Sequence, residues 1–562
     1  MTILLYLFTA TAFALTAFLF YERAKWCLHM MQLDGYSNAR FLRWLFQQPA
    51  ERLLGGTQHL TFCAACCSCL LLFLRSISEL GHASNWMKLA PALCLSLIAG
   101  LTLAIRSTPE PAKKPFVLTA RAKRLIATIC LLFLVTVLWP VLLRIVAPSL
   151  GTWHDVLTLC TLALIILSIL LPPIAAGLTL IANILLIPVQ SAINRSYVNK
   201  AKANLRAVNP TVVGITGSFG KTSTKYFLEA LIRDSIPTLM TPQSFNSFLG
   251  IIRVLNENLR PGTELFIAEM GAYRPGDIKE LADLLHPTIG ILTAIGPSHL
   301  ERFGTVDAVE RTKYELIQSL PSTGLGVFNM DDPRCRRLSF TTPQPHMGYG
   351  LNNDLEDLDV WATDIRMTPQ GMTFTIHTRA HGETAVRTPV LGKHNVSNIL
   401  ACVCVALHLG VSLDTLRRRM NSLEAAPHRL QLLKGTGGVT VIDDSYNSNP
   451  IGAAAALEVL SQFQSGKRIL ITPGMVELGS KQEEENEKFG ELAATSADFV
   501  FLIAGASSEA IHRGLRNKGF PEDKIRDCKD LTEATTELPK IVSPGDVVLF
   551  ANDLPDLYKA KS

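Results

Sequence analysis

The chain has 562 residues, of which 48% are hydrophobic, and its formal net charge is +5. Its mean hydropathy of +0.25 is too high for an ordinary soluble enzyme, because globular domains carry a larger polar share. The modest charge gives no indication of a nucleic-acid partner, which would favour a strongly basic face. The twelve cysteines show no disulfide-like framework, so we expect a reducing compartment.

The excess of apolar residues lies in the first 190 residues, where five runs approach the length of a membrane-spanning helix. A helix needs about 20 largely apolar residues to cross the hydrocarbon core of a bilayer. The runs are residues 2–21, 59–75, 88–105, 124–147 and 155–192. The sequence therefore predicts an all-α transmembrane domain at residues 1–192, with about five spans.

The distribution of Lys and Arg predicts the orientation of these spans. Both residue types are concentrated at 23–52 and 106–124, whereas 76–87 and 148–154 contain almost none. Because cytoplasmic loops carry the excess of Lys and Arg, we expect the two basic loops inside the cell and the N-terminus outside. Five crossings leave the C-terminal half in the cytoplasm, where ATP is available, and a sixth would place it outside. We therefore interpret residues 174–192, which follow a proline pair, as an interfacial or re-entrant helix.

A glycine-rich stretch, GITGSFGKTSTKYF at residues 214–227, follows a strand-like run and opens a helical pattern. In that setting, backbone N–H groups and a helix N-terminus can hold a polyphosphate. The Lys221 side chain would reach the outer phosphates, and the Thr222 hydroxyl would hold Mg²⁺. The glycines do not match the common phosphate-binding loop, whose first glycine lies about six residues before the lysine. Ile215 stands at that position.

Strand-like runs alternate with helical patterns from residue 211 to about 330, which predicts a parallel sheet with covering helices. The candidate strands are residues 211–216, 264–270, 288–293 and 325–331. Ligands collect at the carboxyl ends of the strands in such a sheet. Lys221, Glu269 and Thr293 lie at those ends, which supports a phosphate-binding site there.

Two further residues could complete a phosphoryl-transfer site. His299 lies in a predicted turn, where a neutral imidazole could bind a metal ion. Lys313 lies on the following helix, and its ammonium would repel Mg²⁺ unless CO₂ converted it to an anionic carbamate. Taken singly, a turn histidine and a solvated helix lysine are the simpler interpretation of these two residues. Glu269 ends an apolar strand, where a carboxylate needs a cationic partner.

Seven motifs occur in an order that resembles the Mur ligase family, ATP-dependent amide ligases known from peptidoglycan precursor synthesis. The motifs are GITGSFGKTST, EMG (269–271), HLERFG (299–304), RTKYELI (311–317), GKHNVSN (392–398), HRL (428–430) and VIDDSYNSNP (441–450). This family uses a short G-x-x-G-K-T-[ST] loop, which matches the shifted glycines. Within the family, the stretches DDSYNSNP and GMVELGSKQ most resemble the MurF branch, which adds D-alanyl-D-alanine.

The resemblance covers about residues 209–550 and implies an α/β fold. We expect a central ATP-binding P-loop domain with a parallel sheet at 209–426, after a linker at 193–208. A smaller, Rossmann-like C-terminal Mur ligase domain would follow at 427–562. Residues 340–390 are rich in β-favouring residues and look like an insertion in the central domain.

The resemblance also implies the roles of individual residues. Five would bind the ATP phosphates: Gly217, Gly220, Lys221, Thr222 and Ser223. Four would contact the adenine, the ribose and the phosphates: Asn395, Asn398, Arg429 and Asp444. Two Mg²⁺ ions would be held by four residues: Thr222, Glu269, His299 and a carbamylated Lys313. The expected catalytic residues are Lys221, Lys313 and His299, with Tyr446 and Asn449 nearby.

The implied reaction joins a carboxylate acceptor to the amine of an amino acid or dipeptide through an acyl phosphate. MurF enzymes begin with a soluble domain that holds a uridine nucleotide, whereas apolar runs occupy that part of this chain. The acceptor is therefore left open between a nucleotide-linked and a lipid-linked compound, at a bacterial inner membrane with the ligase domains in the cytoplasm. The alternatives are a Mur-type ligase for another polymer, such as poly-γ-glutamate, and a non-catalytic nucleotide-binding membrane scaffold.

Overall fold

The computed structural model describes residues 2–47, 52, 115–146, 170–297, 300–352, 354, 357–446, 449–476 and 478–552. The chain divides into two compact units, Met1–Arg195 and Ser196–Ser562.

The first unit is helical in its described residues. Its helices are α1 (Thr2–Leu33), α2 (Asn38–Gln47), α3 (Ala120–Val146), α4 (Leu171–Leu185) and the beginning of α5 (Ile187–Val208). Helices α1, α3 and α4 share one apolar core, in which the rings of Phe20 and Phe133 stack with centroids 4.1 Å apart. The Asn183 amide on α4 accepts a hydrogen bond from Arg121 and donates to Asn38, so polar contacts also join α2, α3 and α4.

Two of the predicted spans, 2–21 and 124–147, fall on α1 and α3. The spans predicted at 59–75 and 88–105 lie outside the described residues. Among the residues that the structure describes, no single helix is long and apolar enough to cross a membrane. The helix pair Leu171–Leu185 and Ile187–Val208 reaches the required length and composition only when taken together, with a bend of 46° between its members.

The single helix predicted at 174–192 is divided between two helices in the structure, α4 and α5. Pro172 and Pro173 form the first turn of α4, where proline fits because the N–H groups there have no helical partner. The chain instead breaks at Leu186, between α4 and α5. The predicted linker at 193–208 is the C-terminal part of α5 and is therefore helical.

The second unit begins with a nine-stranded sheet in the order β2-β3-β1-β4-β5-β6-β7-β8-β9. Its strands are β1 (Thr211–Thr216), β2 (Thr238–Met240), β3 (Leu265–Glu269), β4 (Ile289–Leu292), β5 (Leu325–Asn329), β6 (His346–Gly350), β7 (Val360–Thr368), β8 (Gly371–Thr378) and β9 (Gly382–Thr388). The accompanying helices are α6 (Lys221–Ile232), α7 (Phe248–Glu257), α8 (Asp277–Leu285), α9 (Leu300–Phe303), α10 (Val306–Gln318), α11 (Pro333–Thr341), α12 (Lys393–His408) and α13 (Leu413–Met420). The four strands predicted between 211 and 331 correspond to β1, β3, β4 and β5, which confirms the parallel α/β sheet.

Helices cover both faces of the parallel part of this sheet. Strand β3 is buried along its whole length, and β1 is buried except at Thr211, as expected of strands in the middle of a covered sheet. Side chains of α6 and α12 form the core on one face, and those of α7, α8 and α10 form the core on the other. Because β1, β3, β4 and β5 are parallel, their carboxyl ends meet at one edge of the sheet.

Residues 340–390, predicted as an insertion, extend the same sheet. Strand β6 pairs parallel to β5, and β7 pairs parallel to β6. Strands β8 and β9 then continue as antiparallel neighbours. Their inward side chains, such as Phe374 and Ile376, join the core that also contains α6 and α12.

The C-terminal part forms a six-stranded sheet in the order β10-β11-β15-β12-β13-β14. Its strands are β10 (Gln431–Lys434), β11 (Thr440–Asp444), β12 (Arg468–Thr472), β13 (Phe499–Ile503), β14 (Ile525–Cys528) and β15 (Val547–Ala551). Its helices are α14 (Pro450–Ser461), α15 (Gln482–Ser496), α16 (Ser508–Asn517) and α17 (Leu531–Glu537). All pairs are parallel except β10–β11, so the carboxyl ends of β11, β12 and β15 again share one edge.

Candidate active site

A cavity of about 500 Å³ lies between the carboxyl edges of the two sheets. Its lining includes most of the residues predicted for the site: Gly220, Lys221, Thr222, Ser223, Glu269, Lys313, Asn398, Arg429, Asp444, Tyr446 and Asn449. Gly217 and Asn395 do not belong to the lining, and His299 lies outside the described residues. The structure therefore gathers residues that are more than 200 positions apart in the sequence around one space.

The glycine-rich loop packs closely against its neighbours at the two glycines that precede Lys221. Gly217 has φ 150° and Gly220 has φ 81°, conformations that side-chain-bearing residues rarely adopt. A Cβ atom at Gly217 would collide with the Thr293 hydroxyl, and one at Gly220 would collide with the Asn398 amide. Gly217 thus allows the loop to pack against Thr293 outside the cavity lining, whereas Gly220 lies on the cavity wall at the start of α6.

Lys221 begins α6 and is held by the loop that precedes it. Its ammonium donates hydrogen bonds to the carbonyl oxygens of Gly217, at 2.6 Å, and of Ser218, at 3.2 Å. Burial lowers the pKa of Lys221 to about 8, although the Glu269 carboxylate opposes that shift and Arg429 adds to it. The half-buried ammonium lies at the cavity wall, where it could neutralise phosphate oxygens.

Glu269, at the end of β3, has a carboxylate that accepts hydrogen bonds on both oxygens. Oε2 accepts from the Thr222 hydroxyl at 3.1 Å and from the Lys225 ammonium at 3.0 Å, and Oε1 accepts from the Asn246 amide at 3.0 Å. Burial alone would raise the pKa of Glu269, but Lys225, Lys221 and Asn246 together lower it below its ordinary value. A residue that is 1% exposed therefore carries a negative charge beside the phosphate loop.

Lys225 and Asn246 were not predicted for this site. The sequence could have indicated Lys225 as the cation that Glu269 was predicted to need. Lys225 follows Lys221 by one helical turn, so the two lysines lie on the same side of α6. Asn246 carries no comparable signal, because it lies in the loop between β2 and α7 and approaches Glu269 only in the fold.

Lys313 lines the cavity from α10 and is only 3% exposed. Burial and, to a smaller extent, the charge of Lys221 lower its pKa to about 7, although nearby carboxylates oppose the shift. Helix α10 is tied to α8 by Glu315, whose carboxylate accepts from the backbone N–H groups of Gly276 at 2.8 Å and Lys279 at 2.9 Å. The site thus contains an amine that is partly neutral at neutral pH, rather than the solvated lysine that was the simpler interpretation.

The two asparagines of the GKHNVSN motif take different positions. Asn398 lies on the cavity wall, where its carbonyl oxygen accepts from Thr224 and its amide donates to Asn395 at 3.2 Å. Asn395 is 1% exposed and donates to the carbonyl oxygen of Leu391 at 2.8 Å, so it supports Asn398 from beneath the wall. His394 lines the cavity as well, and burial lowers its pKa to about 4, so its ring is neutral.

The C-terminal domain contributes Arg429, Asp444 and Tyr446. The Arg429 guanidinium donates to the Tyr446 carbonyl oxygen and lies 4.8 Å from the centre of that ring. The Asp444 carboxylate accepts from the Leu430 N–H at 3.1 Å, and burial raises its pKa to about 7 although Arg429 opposes the shift. The Tyr446 hydroxyl reaches across the cavity and donates to the Ser244 hydroxyl at 2.7 Å.

Three polar residues at the carboxyl end of β5 and just after it also line the cavity: Asn329, Asp331 and Asp332. The Asn329 amide donates to the Thr293 carbonyl oxygen at 2.9 Å. Asp332 caps α11 and also accepts from the Ile295 N–H at 2.8 Å. The residue pair Asp332-Pro333 is a usual helix start and could have indicated a polar turn at this strand end.

The donor set at the phosphate loop fits Mg²⁺. Among the described residues, no three His, Cys, Asp or Glu side chains lie close enough together to hold a metal ion. Mg²⁺ does not need such a cage, because it usually takes one or two protein oxygens together with phosphate oxygens and water. The Thr222 hydroxyl and the Glu269 carboxylate supply such oxygens at the cavity wall.

A glycine-rich loop with a lysine at the helix start, a buried carboxylate and a second α/β sheet opposite define a nucleotide-dependent transferase or ligase. Residues 215–406 match the Mur ligase middle domain, and residues 428–552 match the glutamate ligase domain of Mur ligases. The chain belongs to the Mur ligase family. It is accordingly an ATP-dependent ligase that forms peptide bonds, as the motifs predicted.

Several relatives align with more than half of this chain. The UDP-N-acetylmuramoyl-tripeptide–D-alanyl-D-alanine ligase of Mycobacterium leprae is 32% identical over 372 residues, which are 62% of this chain and 72% of the relative. The same enzyme of Mycobacterium tuberculosis H37Rv is 34% identical, over 62% of this chain and 71% of the relative. The crystal structure of MurF ligase from Thermotoga maritima in complex with ADP is 27% identical, with a TM-score of 0.57, over 64% of this chain and 80% of that one.

Proposed function

We propose that the chain is a MurF-like ligase of peptidoglycan precursor synthesis, which joins a dipeptide such as D-alanyl-D-alanine to the carboxyl group of a muramoyl peptide. The observation that carries this proposal is the cavity in which Lys221, Thr222, Glu269 and Lys313 face Arg429 and Asp444. The substrates are those in the names of the relatives from both Mycobacterium species.

The proposed reaction has two steps, and its atoms balance without a protein nucleophile. A carboxylate oxygen of the acceptor attacks the γ-phosphorus of ATP, and the bond to the β-phosphate oxygen breaks, so ADP leaves and an acyl phosphate forms. The neutral amine then attacks the acyl carbon, loses a proton and expels inorganic phosphate, which keeps the acceptor oxygen. Lys221 and the N–H groups of its loop stabilise the charge that develops on the phosphoryl oxygens.

Mg²⁺ would be held by Thr222 and Glu269 and, when bound, supplies positive charge to the phosphate oxygens. A second ion would be held by Lys313, as a carbamate, and by His299. The carbamate forms when the neutral Lys313 amine attacks CO₂ and loses a proton. The position of Lys313 in the cavity and its pKa of about 7 support this modification, because a substantial fraction of the amine is neutral at neutral pH.

The carbamate is tested with isotopically labelled bicarbonate. Full-length protein should show one additional carbonyl signal by carbon NMR, which Lys313→Met should lack. A wild-type spectrum without that signal at pH 8 would contradict the modification.

We also propose that the first unit anchors the ligase domains at the cytoplasmic face of a bacterial inner membrane. Helix α3 supports this, because one face packs in the core while the opposite face exposes an apolar stripe: Leu131, Leu134, Val135 and Leu138. A stripe of this kind suits contact with lipid. Anchoring would favour a lipid-linked acceptor over a soluble nucleotide-linked one.

Mass spectrometry of the products tests the function. Full-length protein is incubated with ATP, with D-alanyl-D-alanine or glutamate as the amine, and with either UDP-N-acetylmuramoyl-tripeptide or its lipid-linked counterpart. A dipeptide adduct with phosphate release that depends on the amine is expected, and Lys221→Ala should slow the formation of both by about 10²–10³-fold. Adducts with glutamate alone would favour the ligase of another polymer, and ATP binding without any phosphate release would favour a scaffold.

A further inference from the structure

Lys225 is a lysine that the proposed reaction does not use. It lies on α6, one turn after Lys221, and its residue exposure is 0%. Although Lys221, Thr222 and Ser223 line the cavity, Lys225 does not. Its ammonium therefore cannot touch a substrate, and any effect on the reaction must pass through a neighbour.

Two neighbours hold the Lys225 ammonium. It donates to Oε2 of Glu269 at 3.0 Å, in an ion pair whose side chains are 0% and 2% exposed. It also donates to the carbonyl oxygen of Gln243, in the loop between β2 and α7. Lys225 thus joins three separate segments of the central domain: α6, the end of β3 and the 241–247 loop.

The same loop restrains the other oxygen of Glu269. The Asn246 amide donates to Oε1 at 3.0 Å, while the Asn246 carbonyl oxygen accepts from the Gly271 N–H at 2.9 Å. A Cβ atom at Gly271 would approach the Asn246 side chain to 2.7 Å, so the close packing there requires a glycine. Donors on both oxygens leave the carboxylate no freedom to rotate about its last bond.

This arrangement sets the direction in which Glu269 faces. Lys225 approaches from the buried side and the Thr222 hydroxyl from the cavity side, both at Oε2. Breaking such a pair by removing one partner leaves an uncompensated buried charge, which a protein corrects by rotating the remaining group or by admitting water. Loss of Lys225 would therefore release Glu269 from its place beside Thr222.

We propose that Lys225 is a positioning residue for the ligase reaction: with Asn246, it fixes the Glu269 carboxylate beside the Thr222 hydroxyl, where the Mg²⁺–nucleotide complex binds. This inference rests on the proposed function, because Mg²⁺ at Thr222 and Glu269 is part of it. Groups that orient a metal ligand from behind typically change metal affinity or activity by about 10–100-fold when they are removed.

Calorimetric titration of the full-length protein with ADP, at a series of Mg²⁺ concentrations, gives a readout that needs neither acceptor nor amine. Lys225→Met should weaken the Mg²⁺-dependent part of ADP binding by about 10–100-fold, and it should leave ADP binding without Mg²⁺ unchanged. Lys488→Met is the matched control, since Lys488 is an exposed helix lysine that pairs with Glu484 and Glu485. It should bind Mg²⁺–ADP like the wild type.

A double-mutant cycle separates positioning from a purely structural role. If Lys225 acts through Glu269, the double variant Lys225→Met/Glu269→Gln should bind Mg²⁺–ADP no more weakly than Glu269→Gln alone. The double variant should also unfold at a higher temperature than Lys225→Met, because it contains no unpaired buried charge.

Multiplied losses in the double variant, or a folded Lys225→Met variant with wild-type Mg²⁺–ADP affinity, would overturn the proposal. Should Lys225→Met fail to fold, Asn246→Ala removes the donor to the other oxygen from a half-buried position and should weaken Mg²⁺–ADP binding in the same direction. An unchanged affinity in Asn246→Ala would then overturn it. A wild-type protein that binds no Mg²⁺–ADP would instead overturn the proposed function itself, and this inference with it.

Discussion

The central sheet and the C-terminal sheet contribute charged groups to the same cavity, but they hold these groups differently. Glu269, at the central sheet, is buried and accepts from Thr222, Lys225 and Asn246. At the C-terminal sheet, the half-buried Asp444 carboxylate accepts from one backbone N–H group. Such a contrast is expected where one domain provides a preorganised phosphate site and the other must adapt to a bound nucleotide.

The backbone between the two domains supports this division. His428 and Leu430 adopt φ values of 60° and 47°, in the left-handed region that residues with side chains rarely occupy. Each such residue costs on the order of 1–3 kcal/mol, and such residues cluster at functional sites. Arg429 lies between them, so its position in the cavity depends on this strained turn.

The largest effect is expected at the preorganised side. Lys221→Ala should lower kcat/KM by about 10²–10³-fold, as loss of one charge-stabilising donor typically does. Its thermal unfolding should remain close to that of the wild type, because Lys221 bonds only to carbonyl oxygens of its own loop. Amine-dependent phosphate release measures the rate, and a variant as active as the wild type would contradict the site.

A smaller effect is expected from the adaptable side. Arg429→Met should weaken ATP binding by at least about tenfold, since hydrogen bonds to charged groups contribute roughly 1.5–3 kcal/mol. Arg429 contacts Tyr446 within its own domain, so the variant should keep the central site intact. Calorimetry with ADP measures the change in affinity. A loss of ADP affinity as large as the loss of kcat/KM in Lys221→Ala would remove the contrast between the two sides.

The pH dependence of stability should identify Asp444. Because burial raises its pKa from 3.8 in the unfolded chain to about 7, the folded state binds more protons between those values, and its contribution to stability falls as pH rises through about 7. Asp444→Asn should therefore gain stability relative to the wild type above pH 7, as measured by urea unfolding across pH.

Asp498→Asn is the control for this titration. Its hydrogen bond and ion pair with Arg468 lower the pKa of Asp498, so the contribution of that carboxylate is present above the unfolded pKa, and its loss should not stabilise the protein at pH 7. Equal behaviour of the two variants would show that Asp444 titrates normally.

The smallest effect is expected at the side-chain hydrogen bond between Tyr446 of the C-terminal domain and Ser244 of the central domain. Tyr446→Phe removes the hydrogen bond to Ser244 from a residue that is 44% exposed, and a net contribution of about 1 kcal/mol corresponds to a few-fold loss in kcat/KM. Ser244→Ala should match it, and the double variant should lose no more than either single variant. Independent, multiplied losses would show that the two residues act separately.

Local patterns predicted much of the fold. Buried parallel strands are short apolar runs between turns, so β1, β3, β4 and β5 could be located from the sequence. The phosphate loop could be located because glycine, lysine and threonine must follow one another in a single turn. The extension of the sheet by β6 to β9 could not, since β-favouring composition indicates strands but not the sheet that they join.

The missed features of the site depend on contacts between distant segments. The Lys225–Glu269 pair joins residues 44 positions apart, and the Asn246–Glu269 pair joins residues 23 apart. Asn395 belongs to a motif of the family, yet only the packing of α12 shows that it supports Asn398 rather than lining the cavity. The break at Leu186 was not predicted either. The helix was expected to begin after the proline pair, whereas these prolines form the first turn of α4 and the chain breaks between α4 and α5.

Transfer of an oxygen atom tests the account most directly. The acceptor is prepared with heavy oxygen in its reacting carboxyl group and is incubated with ATP, D-alanyl-D-alanine and the full-length protein. If the carboxylate attacks the γ-phosphorus in this cavity, the released phosphate carries one heavy oxygen atom, and Lys221→Ala releases this phosphate about 10²–10³-fold more slowly. Unlabelled phosphate, released together with the amide product, would contradict an acyl phosphate and with it the role assigned to the site.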